Sequence, residues 1–183
     1  MGRHKALLLL GDRPLAAQVA EQVLRVCGNV SLVGNQAQVT SLGFPVLRDV
    51  FPNQGPLGGI HAALAHSDAP WNLVVGCDMP YLTAEFLELL LRIAAQSSDD
   101  AVVPASGEGY EPLCAVYARA CLAPMERALR EGRRKITDVF AQLRIRAVER
   151  YEWEPYNRMG KLFSNLNTPE DYEQAQVRFS SDV

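Results

Sequence analysis

Short apolar or β-branched runs alternate along the chain with longer stretches of helical periodicity, the pattern of an α/β domain built on a mainly parallel sheet. Leu15, Val19, Val23 and Leu24 recur at helical spacing between Pro14, suited to a first helical turn, and Gly28, suited to a helix end. Residues 29–33 and 44–47 read as two short strands, and Pro56 opens a second helix that continues over 59–66. Residues 71–77 are nearly continuous in apolar side chains, which predicts a central strand covered on both faces and ending at Asp78. Thr83 suits the cap of a helix whose Phe86, Leu89, Leu90 and Ile93 form one stripe. Strands are expected at 101–104 and 113–117 around a Gly-containing turn at 106–110, then helices at 122–130 and 136–143 and a strand at 145–148. Thr168-Pro-Glu-Asp has the cap, first-turn proline and acidic pair that open a last helix.

Composition narrows this picture to one domain over residues 1–183: 48% of residues are hydrophobic, 21% are charged, and the prolines and glycines are dispersed rather than gathered into a linker. A net charge near −3 does not favour a phosphate backbone as partner, so nucleic acid is not expected. Apolar runs such as 6–10 fall far short of the roughly 20 residues that cross a bilayer, and the start lacks a signal-peptide pattern. No membrane is expected, and the cytoplasm is the default location. Cys27, Cys77, Cys114 and Cys121 have no Cys-x-x-Cys spacing and read as buried, reduced thiols. His4, His61 and His66 stand apart from them, so no metal cluster emerges.

Candidate chemistry gathers at the ends of the expected strands. Asp78, in Cys77-Asp-Met-Pro, follows the most apolar run, and ligands of open α/β sheets bind beyond the carboxyl ends of strands. An Asp before a turn can also do no more than start that turn. Asp49 follows the strand at 44–47, and two strand-end carboxylates can hold a hard divalent cation together with nucleotide phosphates. Gly55-Pro-Leu-Gly-Gly allows close backbone approach to a ligand, or equally a tight helix contact. Lys5 is suited to neutralising phosphate charge as pyrophosphate departs, or to plain solvation. Asn165 and Asn167 stand two apart, on one face if extended; capping accounts for Thr168 and Glu170 but not for both amides. Gly-x-Ser-x-Gly, Gly-x-Gly-x-x-Gly and the P-loop signature are all absent, which sets aside a serine hydrolase, a Rossmann dehydrogenase and a P-loop enzyme.

Taken in order, Met1-Gly-Arg-His-Lys-Ala-Leu-Leu, Gly11-Asp-Arg-Pro-Leu, Gly55-Pro-Leu-Gly-Gly, Cys77-Asp-Met-Pro, Glu111-Pro-Leu and Asn165-Leu-Asn-Thr-Pro-Glu-Asp resemble the molybdenum cofactor guanylyltransferase family over essentially the whole chain. The resemblance implies a Rossmann-like, three-layer nucleotidyltransferase fold. It implies Mg²⁺-dependent transfer of GMP from GTP to molybdopterin-bound molybdenum cofactor, with release of pyrophosphate. By the matching motifs, Lys5 would contact the GTP phosphates, Asp78 would bind Mg²⁺ and nucleotide, and Asp49 would contact the guanine nucleotide. Asn165 and Asn167 would lie on the pterin side, and other cofactor-biosynthesis proteins are candidate partners. Such transfer rests on in-line positioning and cationic stabilisation of oxygen charge rather than on covalent help.

The resemblance breaks at the start. The family begins with a strand and a Leu-x-Gly-Gly-x-Ser-x-Arg-Met-Gly loop, and this chain begins at the final Met-Gly. Without them the first strand is missing and the nucleotide site lacks one wall. Either the native start lies upstream, the favoured reading, or residues 6–10 take the vacant strand position. Two other functions stay open: a related transferase using CTP or another acceptor, and a non-catalytic homologue that binds molybdopterin.

Overall fold

The computed structural model describes residues 5–34, 39–107 and 109–179. Its first elements are two short strands, β1 (Leu9–Leu10) and β2 (Arg13–Pro14), paired antiparallel across a turn where Gly11 adopts φ +64°. Helix α1 (Leu15–Cys27) follows and stops at Gly28, whose left-handed backbone donates its N–H to the Leu24 carbonyl. Strands β3 (Leu32–Val33) and β4 (Val46–Leu47) pair in parallel, and α2 (Gly55–Ala65) starts with Pro56 in its first turn. Next come β5 (Trp71–Val75), α3 (Ala84–Gln96), β6 (Ala101–Ser106), β7 (Gly109–Tyr110) and β8 (Cys114–Ala118). The chain ends with α4 (Leu122–Arg130), α5 (Thr137–Phe140), β9 (Ile145–Val148), α6 (Arg150–Trp153) and α7 (Pro169–Phe179). No helix of the described residues is long and apolar enough to cross a membrane.

The larger sheet is mixed. β8 pairs antiparallel with both β5 and β6, and β9 pairs parallel with β6, so β5, β6 and β9 point the same way. β8 runs against them because only a short connection separates it from β6, and a parallel return needs a long crossover. Helices cover both faces. On one face, Ala101 and Val103 of β6 and Ala115 and Tyr117 of β8 pack with Leu57, Ile60 and Leu64 of α2 and Met125 and Ala128 of α4. On the other, Val102, Cys114 and Val116 pack with Phe86, Leu87 and Leu90 of α3. Successive residues of each strand face opposite layers, which is the period-two alternation of a sheet.

β5 departs from the central position that its apolar run predicts. All five of its residues are only half-buried, whereas the first four residues of both β6 and β8 are buried. Among the described residues β5 pairs on one edge alone, with β8 in register from Trp71 opposite Ala118 to Val75 opposite Cys114. Leu73, Val74 and Val75 also line a cavity of about 290 Å³ together with Leu32 and Val33 of β3. Residues 6–10 do not fill this position, which corrects the second of the two expectations for the chain start. Ala6 lies in a tight helical turn, while Leu10 is pinned elsewhere, in a cluster with Leu15, Tyr81, Leu166 and Ala175. The cysteine reading is corrected in one place. Cys114 and Cys121 are buried and Cys27 partly so, but Cys77, just past the end of β5, is exposed. Burial pushes the Cys121 thiol up to about 12, as befits an inert packing residue.

Candidate active site

The turn after β5 is shaped by Gly76. Its N–H donates to the Leu113 carbonyl at 2.7 Å, extending the β5–β8 pairing by one residue. A Cβ at Gly76 would stand 3.1 Å from Oδ1 of Asp78, so the carboxylate folds back closely over this glycine and a side chain there would press on it. Met79 is 2% exposed and packs into the α3 layer, which anchors the turn from below and leaves Asp78 half-buried above it. The Asp78 carbonyl accepts a hydrogen bond from the Leu166 N–H at 3.0 Å. Leu166 is 4% exposed and shares its apolar cluster with Tyr81, while its neighbours Asn165 and Asn167 are exposed. This alternation sets the two amides on the side opposite Leu166, beside the strand end that carries Asp78.

The amides line a mostly polar cavity of about 440 Å³, together with Ser106 at the end of β6, Glu111, Asn157 and Lys161. Its carboxylates are already engaged. Ser106 donates its hydroxyl to Glu111 at 2.6 Å, and Asp171 Oδ2 accepts the N–H groups of Asn167 at 3.0 Å and Thr168 at 2.8 Å. In return Thr168 Oγ1 accepts the Asp171 N–H at 3.1 Å, a reciprocal cap that opens α7 and fixes the amide segment. The Thr168 N–H, and then its hydroxyl, hold the Asp171 carboxyl below its ordinary range. Trp153 forms part of the wall and donates Nε1–H to the Ala105 carbonyl at 2.9 Å.

The structure therefore joins the backbone of Asp78 to the segment that carries Asn165 and Asn167, while the cavity lined by the two amides does not include Asp78 in its lining. Asp49 is placed otherwise: its Oδ1 accepts the Phe51 N–H at 3.0 Å and lies against the first turns of α2, near Gly58. A Cβ at Gly58 would meet the Phe51 carbonyl at 3.0 Å, so this glycine of the Gly-Pro-Leu-Gly-Gly run serves the close packing of loop on helix. Gly59 differs; it has open space around it and faces the apolar cavity beside β5. Lys5 begins the tight turn Lys5–Leu7, and its side chain lies outside the described residues. Among the described residues no group of three His, Cys, Asp or Glu side chains converges as a metal cage. A hard cation beside Asp78 would complete its shell with substrate oxygens and water, a donor set that suits Mg²⁺. Sequence reasoning missed Lys161 and Trp153 as wall residues. The scarcity of lysine, with only Lys5, Lys135 and Lys161 in the chain, was the one signal that pointed to the former.

Comparison with known proteins bears on the family and the fold. The family model of the MobA-like NTP transferase domain matches residues 1–147. A molybdenum cofactor guanylyltransferase of Desulfosudis oleivorans is 33% identical over 178 residues, 96% of this chain and 87% of the relative. A probable molybdenum cofactor guanylyltransferase of Pelotomaculum thermopropionicum is 34% identical over 97% of this chain and 86% of its own length. Among solved structures, molybdopterin-guanine dinucleotide biosynthesis protein A from Archaeoglobus fulgidus superposes with a TM-score of 0.85 at 27% identity, covering 98% of this chain and 92% of that one. A 2-C-methyl-D-erythritol 4-phosphate cytidylyltransferase from Thermus thermophilus shares the fold alone, with a TM-score of 0.71 at 19% identity over 98% and 94% of the two chains.

Proposed function

The chain belongs to the molybdenum cofactor guanylyltransferase family, and from that premise we propose that it transfers GMP from GTP to molybdopterin-bound molybdenum cofactor, yielding molybdopterin guanine dinucleotide and pyrophosphate. The observation that supports this reading is the 3.0 Å hydrogen bond from Leu166 to the Asp78 carbonyl, which fastens a pair of exposed amides to a strand-end carboxylate. The two halves of a bisubstrate site need such a fixed relation, because aligning the reactants supplies much of the rate.

In this reading Asp78 would hold Mg²⁺, and the bound cation would supply neutralisation of the charge that builds on the departing pyrophosphate. Asp78 is suited to that task by its position over Gly76, where the carboxylate lies at the strand end without being sealed from solvent. Lys5 contacts the phosphates, and Asp49, held by the Phe51 N–H, contacts the guanine nucleotide. Asn165 and Asn167 present amide donors and acceptors to the edge of the pterin ring. GTP and molybdopterin are both cytoplasmic reactants, and we place the protein there.

The test incubates the protein with Mg²⁺, the molybdopterin acceptor and either labelled GTP or labelled CTP. Label passes to the acceptor from GTP in the expected outcome, and Asp78→Ala lowers that transfer at least about a hundredfold while the far-ultraviolet circular dichroism is unchanged. Incorporation from CTP alone would overturn the guanylyl assignment, and near-normal turnover of Asp78→Ala would remove the metal role.

A further inference from the structure

The loop that carries Asp49 rests on one face of α2, and a titratable ring is built into that seat. We propose that His61 is a positioning residue for the nucleotide contact of Asp49: its neutral ring supports Phe51, and charging the ring releases the loop and weakens GTP binding. The inference rests on the nucleotide role given to Asp49 above and deepens it.

Geometry carries it. Gly58 and His61 stand three apart on α2, hence on one face of the helix. At Gly58 the loop approaches closely: a Cβ there would lie 3.0 Å from the Phe51 carbonyl oxygen, 3.2 Å from Cβ of Gln54 and 3.5 Å from Oδ1 of Asp49. At His61 the loop meets the helix through the Phe51 ring, whose centre is 5.0 Å from that of the imidazole at an interplanar angle of 82°. The Phe51 N–H in turn donates to Oδ1 of Asp49 at 3.0 Å. Imidazole, phenyl ring and carboxylate are thus linked by one short chain of contacts.

The surroundings suit the neutral ring. His61 is 3% exposed, and neither ring nitrogen has a hydrogen-bond partner among the described residues. Desolvation disfavours the imidazolium, Glu126 of α4 and Asp49 of the loop pull the other way, and Arg130 of α4 and His66 at the end of α2 add to the penalty. The Arg130 guanidinium also stands 6.0 Å from the centre of the Phe51 ring, so a charged His61 sets a second cation against the same phenyl group. A proton on the ring creates a buried cation with two N–H donors, which has to reach water. One neighbour yields more readily than the other. α4 is anchored by buried Met125, Ala128 and Leu129, whereas Phe51 is half-buried in a loop whose Val50, Pro52 and Asn53 are exposed. The loop is therefore the side that opens, and Asp49 moves with Phe51.

The experiment measures transfer from GTP between pH 7.5 and 5.5 in the unsubstituted protein, His61→Phe and His61→Ala. His61→Phe keeps an aromatic ring against Phe51 and removes the titration, while His61→Ala removes the support itself. The phosphates of GTP titrate alike in every assay, so ratios between proteins isolate His61. Over this range the KM for GTP is expected to rise at least about threefold more in the unsubstituted protein than in His61→Phe, with kcat in the two within about twofold. His61→Gln, a second neutral side chain, is expected to follow His61→Phe, and His61→Ala to show a raised KM already at pH 7.5. Hydrogen exchange of the Phe51 amide, without nucleotide, tells the two readings apart. Its protection is expected to fall on acidification in the unsubstituted protein relative to His61→Phe at the same pH. Equal protection in the two proteins would overturn the proposal. Protection that follows His61 while the KM for GTP does not sinks the nucleotide role of Asp49 and leaves the coupling of His61 to the loop standing. The same coupling in a protein that cannot use GTP sinks the guanylyl reading alone.

Discussion

Two cavities among the described residues stand at opposite levels of specification. The polar one is bounded by groups that hold each other: the Asp171 and Thr168 reciprocal cap, the Ser106–Glu111 hydrogen bond, the Trp153 bond to Ala105 and the Leu166 bond to Asp78. The apolar one lies between β3 and β5 and is bounded by aliphatic walls, with α1 and α2 behind them. Directional bonds fix a side chain to within tenths of an ångström, whereas apolar contact fixes only volume and tolerates rearrangement. The difference teaches where chemistry can be sited. Reacting groups belong at the polar end, and the apolar end is suited to holding backbone.

Breaking the polar end gives the largest expected effect. Gly76→Val brings a side chain into the space that Asp78 Oδ1 occupies, only 3.1 Å from the Cβ position, and displaces the carboxylate. Transfer from GTP is expected to fall by about a hundredfold, the usual scale for misplacement of a reacting group by about 1 Å. A kcat/KM within threefold of the original would show that the carboxylate position is not critical.

The α2 glycines sharpen the contrast with opposite signs at adjacent positions. Gly59 faces open space, so Gly59→Ala is expected to stabilise the helix by about 0.5–1 kcal/mol through the loss of backbone freedom in the unfolded chain. Gly58→Ala instead presses a methyl group onto the Phe51 carbonyl at 3.0 Å and is expected to cost about 1–3 kcal/mol. Urea midpoints of the two variants decide the matter; a shared sign would mean that the loop bearing Asp49 is not tightly packed on α2.

The smallest effect concerns His61, on the same helix. It is 3% exposed, packs edge-on against Phe51, and neither ring nitrogen has a hydrogen-bond partner among the described residues. Desolvation lowers its pKa from 6.5, against the weaker opposing pull of Glu126 and Asp49. The unfolded chain therefore binds the proton more readily than the native one. This contribution to stability is complete above pH 6.5 and declines as pH falls below it, by at most about 1.4 kcal/mol per pH unit from this one group. Thermal midpoints between pH 7.5 and 5.5 should fall more steeply in the unsubstituted protein than in His61→Phe. Parallel curves would remove His61 as the cause.

The layered fold and the end of each element were legible in the chain because they depend on local chemistry. Pro14 and Gly28 bracket α1, Thr83 caps α3 through the Phe86 N–H at 3.3 Å, and Thr168 caps α7. Asp78, Asn165 and Asn167 were legible as a set through their motifs, and the structure does place them at one strand end. Neighbour order was not legible. The apolar run of 71–75 is the same whether its strand is flanked on both edges or on one, and pairing with β8 on a single edge depends on residues as distant as Ala118 is from Trp71. The fate of Asp49 likewise turned on the approach of Phe51 to Gly58, which no spacing rule reports. Leu166 acquired its surroundings only when α7 closed against the hairpin of β1 and β2, through the buried cluster that it shares with Leu10, Leu15, Tyr81 and Ala175. What the sequence determined by itself was local: caps, periodicities and the motifs at strand ends. Which of those ends meet, and which strand edges pair, were decided by long-range packing, because burial and pairing are properties of assembled surfaces.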